Sequence, residues 1–275
     1  MATVFIAGCG YTGRRVAERL VAAGHEVWAT TRDAAPLADL DGVRALRFDA
    51  LEPEAPLRLR EAVPPGAILL YSIPTIRVSG RYVEPAPELF QALRGRLSRA
   101  VYLSTTGVYG EARFVDENTP IAPATARTRL RVEAERAAAA GDWPALILRP
   151  AAIYGPGRGV QFALPRGEYK LLGDGSNFVS RIHVDDLAAI VAAGLLSTAT
   201  GAYPVADEGP STSREIAEFV ARLLRLPLPE SVAAEALSET RRADRRVDGR
   251  AIRHLLGIEL RYPTFREGVP SAVQQ

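Results

Sequence analysis

The sequence has little cysteine, histidine or lysine, and these scarcities limit its chemistry. Cys9 is the only cysteine in 275 residues, which excludes an intrachain disulfide and a cysteine-cluster metal site. The three histidines, His25, His183 and His254, are scattered without the spacing of metal ligands, so the sequence predicts no metal site. Lys170 is the only lysine among 34 basic residues, so a role that needs an ammonium group has a single candidate.

Long apolar runs and an excess of charge of one sign are also absent. No apolar run approaches ~18 residues, the length of a membrane-spanning helix, and the N-terminus enters an apolar strand pattern without the features of a signal peptide. The 34 basic and 32 acidic residues nearly cancel, which argues against nucleic acid or an anionic membrane as a partner. These absences predict a cytoplasmic globular protein whose partner is a small-molecule substrate.

What the sequence does contain is a G-x-G-x-x-G loop near its start. The apolar run Thr3–Ala7 predicts a buried parallel strand, and an amphipathic helix pattern follows the loop. Gly8 permits a tight turn, Gly10 lets a pyrophosphate approach the backbone, and Gly13 lets the helix pack on the strand. The N–H groups and the positive dipole end of that helix favour phosphate. The predicted cofactor contacts in this loop are Gly8, Gly10, Tyr11, Thr12 and Gly13.

The end of the second predicted strand, Glu26–Thr30, indicates which nucleotide is bound. NAD-binding folds place an acidic side chain there to accept hydrogen bonds from the ribose hydroxyls. Here Thr31 and Arg32 occupy the strand tip and suit a 2′-phosphate, while Asp33 lies one residue beyond and can turn inward. The sequence therefore favours NADP, with NAD as the alternative cofactor and a solvated loop arginine as the alternative role. Asp49, after the third strand, is predicted either to touch the adenine amine or to cap a turn.

Strand and helix patterns alternate through the first half of the chain. Further buried strands are predicted at Arg44–Phe48, Ala67–Ile73, Val101–Leu103 and Ala145–Leu148, with helices at Pro87–Leu97 and Pro123–Ala140. A loop rich in Arg and Pro is expected after Pro74, and Ser213 is predicted to cap a later helix that ends near Leu226. We predict an α/β fold in which residues 1–152 form a Rossmann doubly wound parallel sheet. Residues 153–275 form a smaller C-terminal substrate-binding lobe, and the chain interleaves between the two.

Five motifs follow one another along nearly the whole chain. They are the glycine loop, Ser-Thr-Thr-Gly-Val-Tyr-Gly at 104–110, Arg-Pro at 149–150 with Tyr-Gly-Pro-Gly-Arg at 154–158, His-Val-Asp-Asp-Leu at 183–187, and Tyr-Pro-Thr at 262–264. Together they resemble the extended short-chain dehydrogenase/reductase superfamily, in its NAD-dependent epimerase/dehydratase branch. The resemblance implies a nicotinamide cofactor, with Ser72 and Pro150 as further contacts. Dimers are common in that superfamily, so a homodimer is the assembly the resemblance implies.

The catalytic pair of the superfamily has no counterpart here. The resemblance implies a Ser or Thr three residues before the Val of Val-Tyr-Gly, which is Thr105, and then Tyr-x-x-x-Lys in the next helix with a Glu four residues after the Lys. Placing that Glu on Glu135 puts Arg131 at the Lys position and Arg127 at the Tyr position, and the helix holds no tyrosine. Arginine stays protonated below a pKa of ~12.5, so Arg127 cannot be a general base, whereas Arg131 can still bind ribose or steady an anion. The chain resembles the atypical members of the superfamily.

Other residues are candidates for the missing chemistry, each with a structural alternative. Thr105 is predicted to orient a substrate carbonyl, or else to bond to backbone. Tyr109 and Tyr154 lie in motifs that flank the crevice and are either proton donors or packed structural tyrosines. The candidate anchors for a substrate phosphate or carboxylate, with solvated arginines as the alternative, are Arg158, Arg181, Arg241, Arg242, Arg245 and Arg246.

Two functions of different classes follow from these features. The complete nucleotide motif and Thr105 favour an NADP(H)-dependent oxidoreductase or epimerase-like enzyme with a nonstandard acid/base arrangement. The missing Tyr and Lys favour a non-catalytic NADP(H)-binding sensor or scaffold. An enzyme needs a proton donor within hydrogen-bond reach of the site that faces nicotinamide C4, and a sensor does not.

Overall fold

The computed structural model describes residues 1–33, 37, 39–237 and 242–274. The strands of these residues, β1 to β17 in chain order, are Thr3–Ala7, Glu26–Thr31, Val43–Arg47, Ala67–Tyr71, Ile76–Val78, Arg81–Val83, Leu97–Leu103, Phe114–Val115, Ala145–Pro150, Ala152–Tyr154, Leu171–Leu172, Phe178–Val179, Arg181–His183, Gly201–Val205, Ser211–Thr212, Ser231–Val232 and Arg246–Val247. Their helices, α1 to α9, are Tyr11–Ala22, Ala55–Ala62, Ala86–Ala92, Ala126–Ala139, Val160–Ala163, Val184–Leu196, Ser213–Leu224, Arg250–Leu256 and Phe265–Gln274.

The central sheet has seven strands in the order β14-β9-β7-β4-β1-β2-β3. The neighbouring pairs β3–β2, β2–β1, β1–β4, β4–β7 and β7–β9 are parallel. The direction in which the chain adds strands reverses between β1 and β4, and ligands of such sheets bind in the crevice outside the carboxyl ends of the strands at this point. The predicted Rossmann doubly wound sheet is confirmed.

The segment after β4 differs from its prediction. The fourth strand ends at Tyr71, and the expected loop after Pro74 contains the antiparallel hairpin of β5 and β6, in which Ile76 pairs with Val83. Ser79 and Gly80 form its turn with positive φ angles of 47° and 83°, as a two-residue hairpin turn requires. The prediction was wrong because strands of three residues give no clear alternation pattern.

The cap of α7 is also corrected. Ser213 is the first residue of the helix, and Thr212 is its N-cap. The Thr212 hydroxyl oxygen accepts the N–H of Glu215 at 3.1 Å, and the Glu215 carboxylate accepts the N–H of Thr212 at 2.7 Å. This reciprocal pair is a capping box, whose acidic member stands three residues after the cap and distinguishes Thr212 from its neighbour.

The chain folds into two compact units, each built from separate stretches of sequence. Unit 1 comprises Met1–Val108, Pro123–Arg149 and Ala188–Tyr203, and unit 2 comprises Tyr109–Ala122, Pro150–Leu187 and Pro204–Gln275. Large buried side chains in the core of unit 1 include Phe5, Leu59, Leu69, Tyr71, Phe90, Tyr102 and Trp143. Those of unit 2 include Tyr154, Leu164, Ile216, Val220 and Phe265. The division into a nucleotide-binding part at 1–152 and a substrate-binding part at 153–275 stays a prediction about roles.

Candidate functional site

The loop between β1 and α1 and the first turn of α1 place three glycines under three different constraints. Gly8 has a φ of +89°, and a Cβ atom there would lie 2.8 Å from the backbone nitrogen of Ile73, so only glycine fits. A Cβ on Gly13 would lie 3.2 Å from the carbonyl oxygen of Gly8. A Cβ on Gly10 would meet no described atom within 4 Å. Gly8 and Gly13 therefore shape the loop, and Gly10 keeps the space in front of it clear.

Hydrogen bonds from neighbouring strands hold the loop in this shape. The Ser72 hydroxyl donates to the Gly8 carbonyl oxygen at 2.6 Å, and the Gly8 N–H donates to the Thr30 hydroxyl oxygen at 3.1 Å. The Cys9 N–H donates to the Thr30 carbonyl oxygen at 2.7 Å. Burial raises the pKa of the Cys9 thiol to about 12, so this side chain stays a thiol and packs as a small apolar group. Ser72 braces the loop, and its direct contact with a nucleotide stays a prediction.

Helix α1 presents an uncapped N-terminus to the same space. Its N-cap is Gly10, which has no side chain to accept a hydrogen bond, and no acidic residue lies in its first turn. Thr12 is buried, and the Arg15 guanidinium lies 4.6 Å from the centroid of the Tyr11 ring. The N–H groups at such a helix start bind anions. The residues present therefore fit a dinucleotide pyrophosphate, and the five predicted loop contacts lie together.

The carboxyl end of β2 lies at the same edge of the sheet, because β2 runs parallel to β1. Thr31 is the last residue of the strand, and Arg32 and Asp33 follow it at the exposed surface. The acid of β2, Glu26, is at the opposite end of the strand. Asp49 follows β3, and its carboxylate accepts the N–H of the residue two positions on at 3.0 Å. It therefore closes a turn, which is one of its two predicted roles.

A second group of predicted residues follows β7 and β9. Thr105 is half-buried just before the 3-10 turn Thr106–Tyr109, and its hydroxyl oxygen accepts the Gly107 N–H at 3.1 Å. This bond is the backbone alternative that the sequence left open. Because the oxygen acts as the acceptor, the hydroxyl hydrogen is not used in this bond and can donate. Pro150 is buried at the end of β9.

Arg131, which the sequence analysis placed at the position of the superfamily lysine, is buried in unit 1. It is 6% exposed, and its guanidinium donates to the carbonyl oxygens of Ile73, at 3.3 Å, and Leu103. The same group lies 3.4 Å from the Glu84 carboxylate and 4.9 Å from the centroid of the Tyr102 ring. The predicted role of Arg131 toward a ribose or an anion stays a prediction.

Glu135, one turn further along α4, forms a second buried ion pair. Its two oxygens accept from Arg149 at 3.0 and 2.7 Å, and one of them also accepts from the Ser104 hydroxyl. A bidentate guanidinium–carboxylate pair fixes both partners in orientation as well as in distance. Helix α4 thus contacts the end of β7 through Arg131 and the end of β9 through Glu135.

Tyr109 and Tyr154 belong to unit 2 and are buried there. Tyr109 has no exposed surface, and Tyr154 is 1% exposed, with its hydroxyl donating to the Thr264 carbonyl oxygen at 3.3 Å. Burial raises the pKa of Tyr154 well above its usual range, so it is neutral at any ordinary pH. The surroundings are those of packed structural tyrosines, and proton donation by either residue stays a prediction.

The arginines predicted as substrate anchors have different surroundings in unit 2. Arg158 is exposed, whereas Arg181 is buried and burial lowers its pKa. Arg245 is buried and donates to two backbone carbonyls of the segment 110–112, and Arg246 lies against the rings of two phenylalanines. Arg241 lies outside the described residues.

Two buried acids were missed from the sequence, Glu84 in unit 1 and Asp207 in unit 2. The Glu84 side chain is 1% exposed. Asp207 is 3% exposed, its Oδ1 accepts the Gly209 N–H at 3.3 Å, and its Oδ2 has no hydrogen-bond partner among the described residues. Burial raises the pKa of Asp207 to about 7. Neither acid stands in a motif, and their burial depends on packing between distant segments, so no local signal distinguishes them from surface acids.

Comparison with known proteins identifies the family. The sequence model of the NAD dependent epimerase/dehydratase family matches residues 4–205. The chain belongs to this family. Membership of this family supports a nicotinamide cofactor, and the resemblance to the extended short-chain dehydrogenase/reductase superfamily is confirmed. Within the described part of the chain, no group of three or more His, Cys, Asp or Glu side chains is arranged to hold a metal ion. That part also contains no helix long and apolar enough to cross a membrane.

Proteins with similar sequences align with most of the chain. The chain is 29% identical over 262 residues to the 3-diazoavenalumate denitrifying reductase of a Streptomyces species, with 84% of each protein covered. It is 30% identical over 283 residues to protein YeeZ of Escherichia coli K12, which covers 96% of this chain and 97% of YeeZ. A functionally unknown conserved protein from Silicibacter pomeroyi DSS has a similar structure, with 31% identity, a TM-score of 0.80 and coverage of 100% and 99%.

Proposed function

We propose that this protein is an NADP(H)-dependent oxidoreductase that acts on a small-molecule substrate. The observation that carries the proposal is the open space over Gly10 in front of the uncapped start of α1. The exposed Arg32 at the end of β2, where an acid would suit NAD, supports the preference for NADP. The similar Streptomyces protein is a reductase by name, which supports reduction as the direction.

Each residue of this site has a defined task under the proposal. The first-turn N–H groups of α1 hold the pyrophosphate, and Arg32 binds the 2′-phosphate with its planar donor fork. The bound nicotinamide supplies or accepts a hydride. The Thr105 hydroxyl, with its oxygen fixed by the Gly107 N–H, donates to a substrate oxygen and orients it. Arg131 is engaged by Glu84 and by backbone carbonyls, and the proposal assigns it no part in proton transfer.

An Arg32→Ala variant tests the cofactor preference. We expect it to bind NADPH about 10- to 100-fold more weakly, since a charge-assisted pair to phosphate contributes about 1.5–3 kcal/mol. Its affinity for NADH is expected to change little, because NADH has no 2′-phosphate. Arg44→Ala is the matched control, since Arg44 is an exposed arginine near the start of β3, away from the nucleotide edge of the sheet. Fluorescence titration of the wild-type protein and both variants with each nucleotide measures the six affinities.

The assignment of Arg32 to the 2′-phosphate would be contradicted if the wild-type protein preferred NADH. It would also be contradicted if Arg32→Ala lost affinity for NADPH and NADH equally. Either result would direct attention to Asp33, the next residue along the loop.

A second candidate is a sensor that binds NADP(H) without turning it over. The observation that favours it is the engagement of Arg131 with Glu84 and backbone carbonyls, at the place where the superfamily has its catalytic lysine. The two candidates differ in turnover. The enzyme candidate is supported if the wild-type protein consumes NADPH with any carbonyl compound of a substrate panel and Thr105→Val does not. Tight binding without consumption across the panel supports the sensor.

A further inference from the structure

The Glu84–Arg131 pair is a buried ion pair that also engages the backbone on both sides. Glu84 lies between β6 and α3, and its Oε1 accepts the N–H of Ala86, the first residue of α3, at 3.3 Å. Its Oε2 accepts from the Thr75 hydroxyl at 2.7 Å and lies 3.4 Å from Arg131. The side chains of Arg131 and Glu84 are 7% and 1% exposed. The carboxylate is thus held by the Ala86 N–H and the Thr75 hydroxyl, with its Oε2 against the Arg131 guanidinium.

Arg131 in turn holds the ends of two neighbouring strands of the sheet. Its donors reach the Ile73 carbonyl, two residues beyond β4, and the carbonyl of Leu103, the last residue of β7. Thr105 follows two residues after Leu103. The guanidinium therefore fixes the backbone from which Thr105 projects.

Ile73, one of the two residues whose carbonyl oxygens accept from Arg131, contacts the glycine loop directly. The backbone nitrogen of Ile73 lies 2.8 Å from the place where a Gly8 Cβ would be, and Ser72 donates to the Gly8 carbonyl oxygen. A shift of residues 72–73 would therefore change the loop that faces the pyrophosphate. A continuous series of contacts therefore joins Glu84 to Arg131, Arg131 to Ile73, and Ile73 to Gly8.

We propose that Glu84, acting through Arg131, is a positioning residue that sets the shape of the nucleotide site. The inference rests on the proposed binding of NADP(H) at the glycine loop. Replacing both members of a buried ion pair with neutral groups is often neutral for stability, whereas removing one leaves an unpaired buried charge. Stability and positioning can therefore be separated by comparing single and double variants.

The experiment measures the melting temperature and the NADPH dissociation constant for Glu84→Gln, Arg131→Met and the double variant. Each single variant is expected to melt at a lower temperature and to bind NADPH more weakly. The double variant is expected to regain most of the melting temperature while its NADPH affinity stays about tenfold or more below wild type, because the Ile73 and Leu103 carbonyls are still unheld. If affinity recovers together with the melting temperature, the pair is structural only and the inference is wrong.

Arg99→Met is the matched control. Arg99 is a buried arginine on β7, at the opposite end of the strand from Leu103, and it donates to the carbonyl oxygens of Gly194 and Ala199. Its replacement is expected to lower the melting temperature and to leave NADPH affinity unchanged. A loss of affinity in Arg99→Met as large as in the double variant would overturn the inference, since any buried arginine would then have the same effect.

Arg131→Lys keeps the result decisive if the double variant does not fold. A lysine retains the charge next to Glu84 but has no planar fork to reach two carbonyls at once, so NADPH affinity is expected to fall with little loss of melting temperature. Wild-type affinity in Arg131→Lys would overturn the inference. If the wild-type protein binds neither NADPH nor NADH, the proposed function fails and this inference fails with it.

Discussion

A Gly10→Val variant is expected to fold as the wild-type protein does and to bind NADPH at least about 100-fold more weakly. Gly10 has a negative φ of −94°, and no described atom lies within 4 Å of a Cβ at this position. The added side chain therefore fills only the space in front of the helix start. It keeps the phosphates away from the first-turn N–H groups, whose charge-assisted hydrogen bonds contribute about 1.5–3 kcal/mol each.

Gly8→Ala is the contrasting variant in the same loop. Gly8 has a positive φ and the Ile73 backbone against it, so even a methyl group is expected to lower the melting temperature. The two variants together separate a glycine that leaves room for a ligand from one that the backbone requires. Thermal melting and NADPH titration of both variants check this. Wild-type NADPH affinity in a folded Gly10→Val protein would mean that the phosphates do not lie over this loop.

The second large effect is expected at Asp207, in the pH dependence of stability. Burial raises the pKa of its carboxyl from 3.8 to about 7 in the folded protein. Between these two values the folded state holds a proton that the unfolded state has lost, so the free energy of unfolding falls as the pH rises from about 4 to about 7. A difference of about 3 pKa units corresponds to about 4 kcal/mol. Asp207→Asn has no such proton, and its stability relative to wild type is expected to rise through this range and then level off.

Asp248→Asn is the control, because the Asp248 carboxylate in the same unit is held by Arg250 and its pKa is lowered. An acid of this kind adds stability above its unfolded pKa and loses it as the pH falls, so this variant should differ from wild type with the opposite pH slope. Denaturant unfolding at a series of pH values gives both slopes. A difference between Asp207→Asn and wild type that does not change with pH would show that Asp207 is ionised throughout.

The parts of the fold that could be predicted from the sequence are those encoded locally. The strand, the glycine loop and α1 lie within residues 3–22, and each step of that motif has a steric reason that can be stated for a single residue. The hairpin of β5 and β6 was missed because strands of three residues carry no period that can be distinguished from a loop. The cap of α7 was misplaced by one residue because Thr212 and Ser213 both have hydroxyl groups, and only the reciprocal bond with Glu215 separates them.

The candidate site was predictable in position but not in its electrostatics. The motif alignment placed Arg131 where the superfamily has its lysine, yet its partner Glu84 is 47 residues away and lies in a segment expected to be an irregular loop. The burial of Asp207, whose Oδ2 has no hydrogen-bond partner among the described residues, likewise depends on which segments pack around it. Such pairings are set by tertiary packing, for which a single sequence gives no signal.

The most direct test of the account is a fluorescence titration of the purified wild-type protein with NADPH and, separately, with NADH. We expect saturable binding of both nucleotides at one site, with NADPH bound more tightly because Arg32 stands at the end of β2. Equal or tighter binding of NADH would contradict the assignment of the 2′-phosphate contact. Binding of neither nucleotide would contradict the central claim that the loop at Gly8, Gly10 and Gly13 holds a dinucleotide.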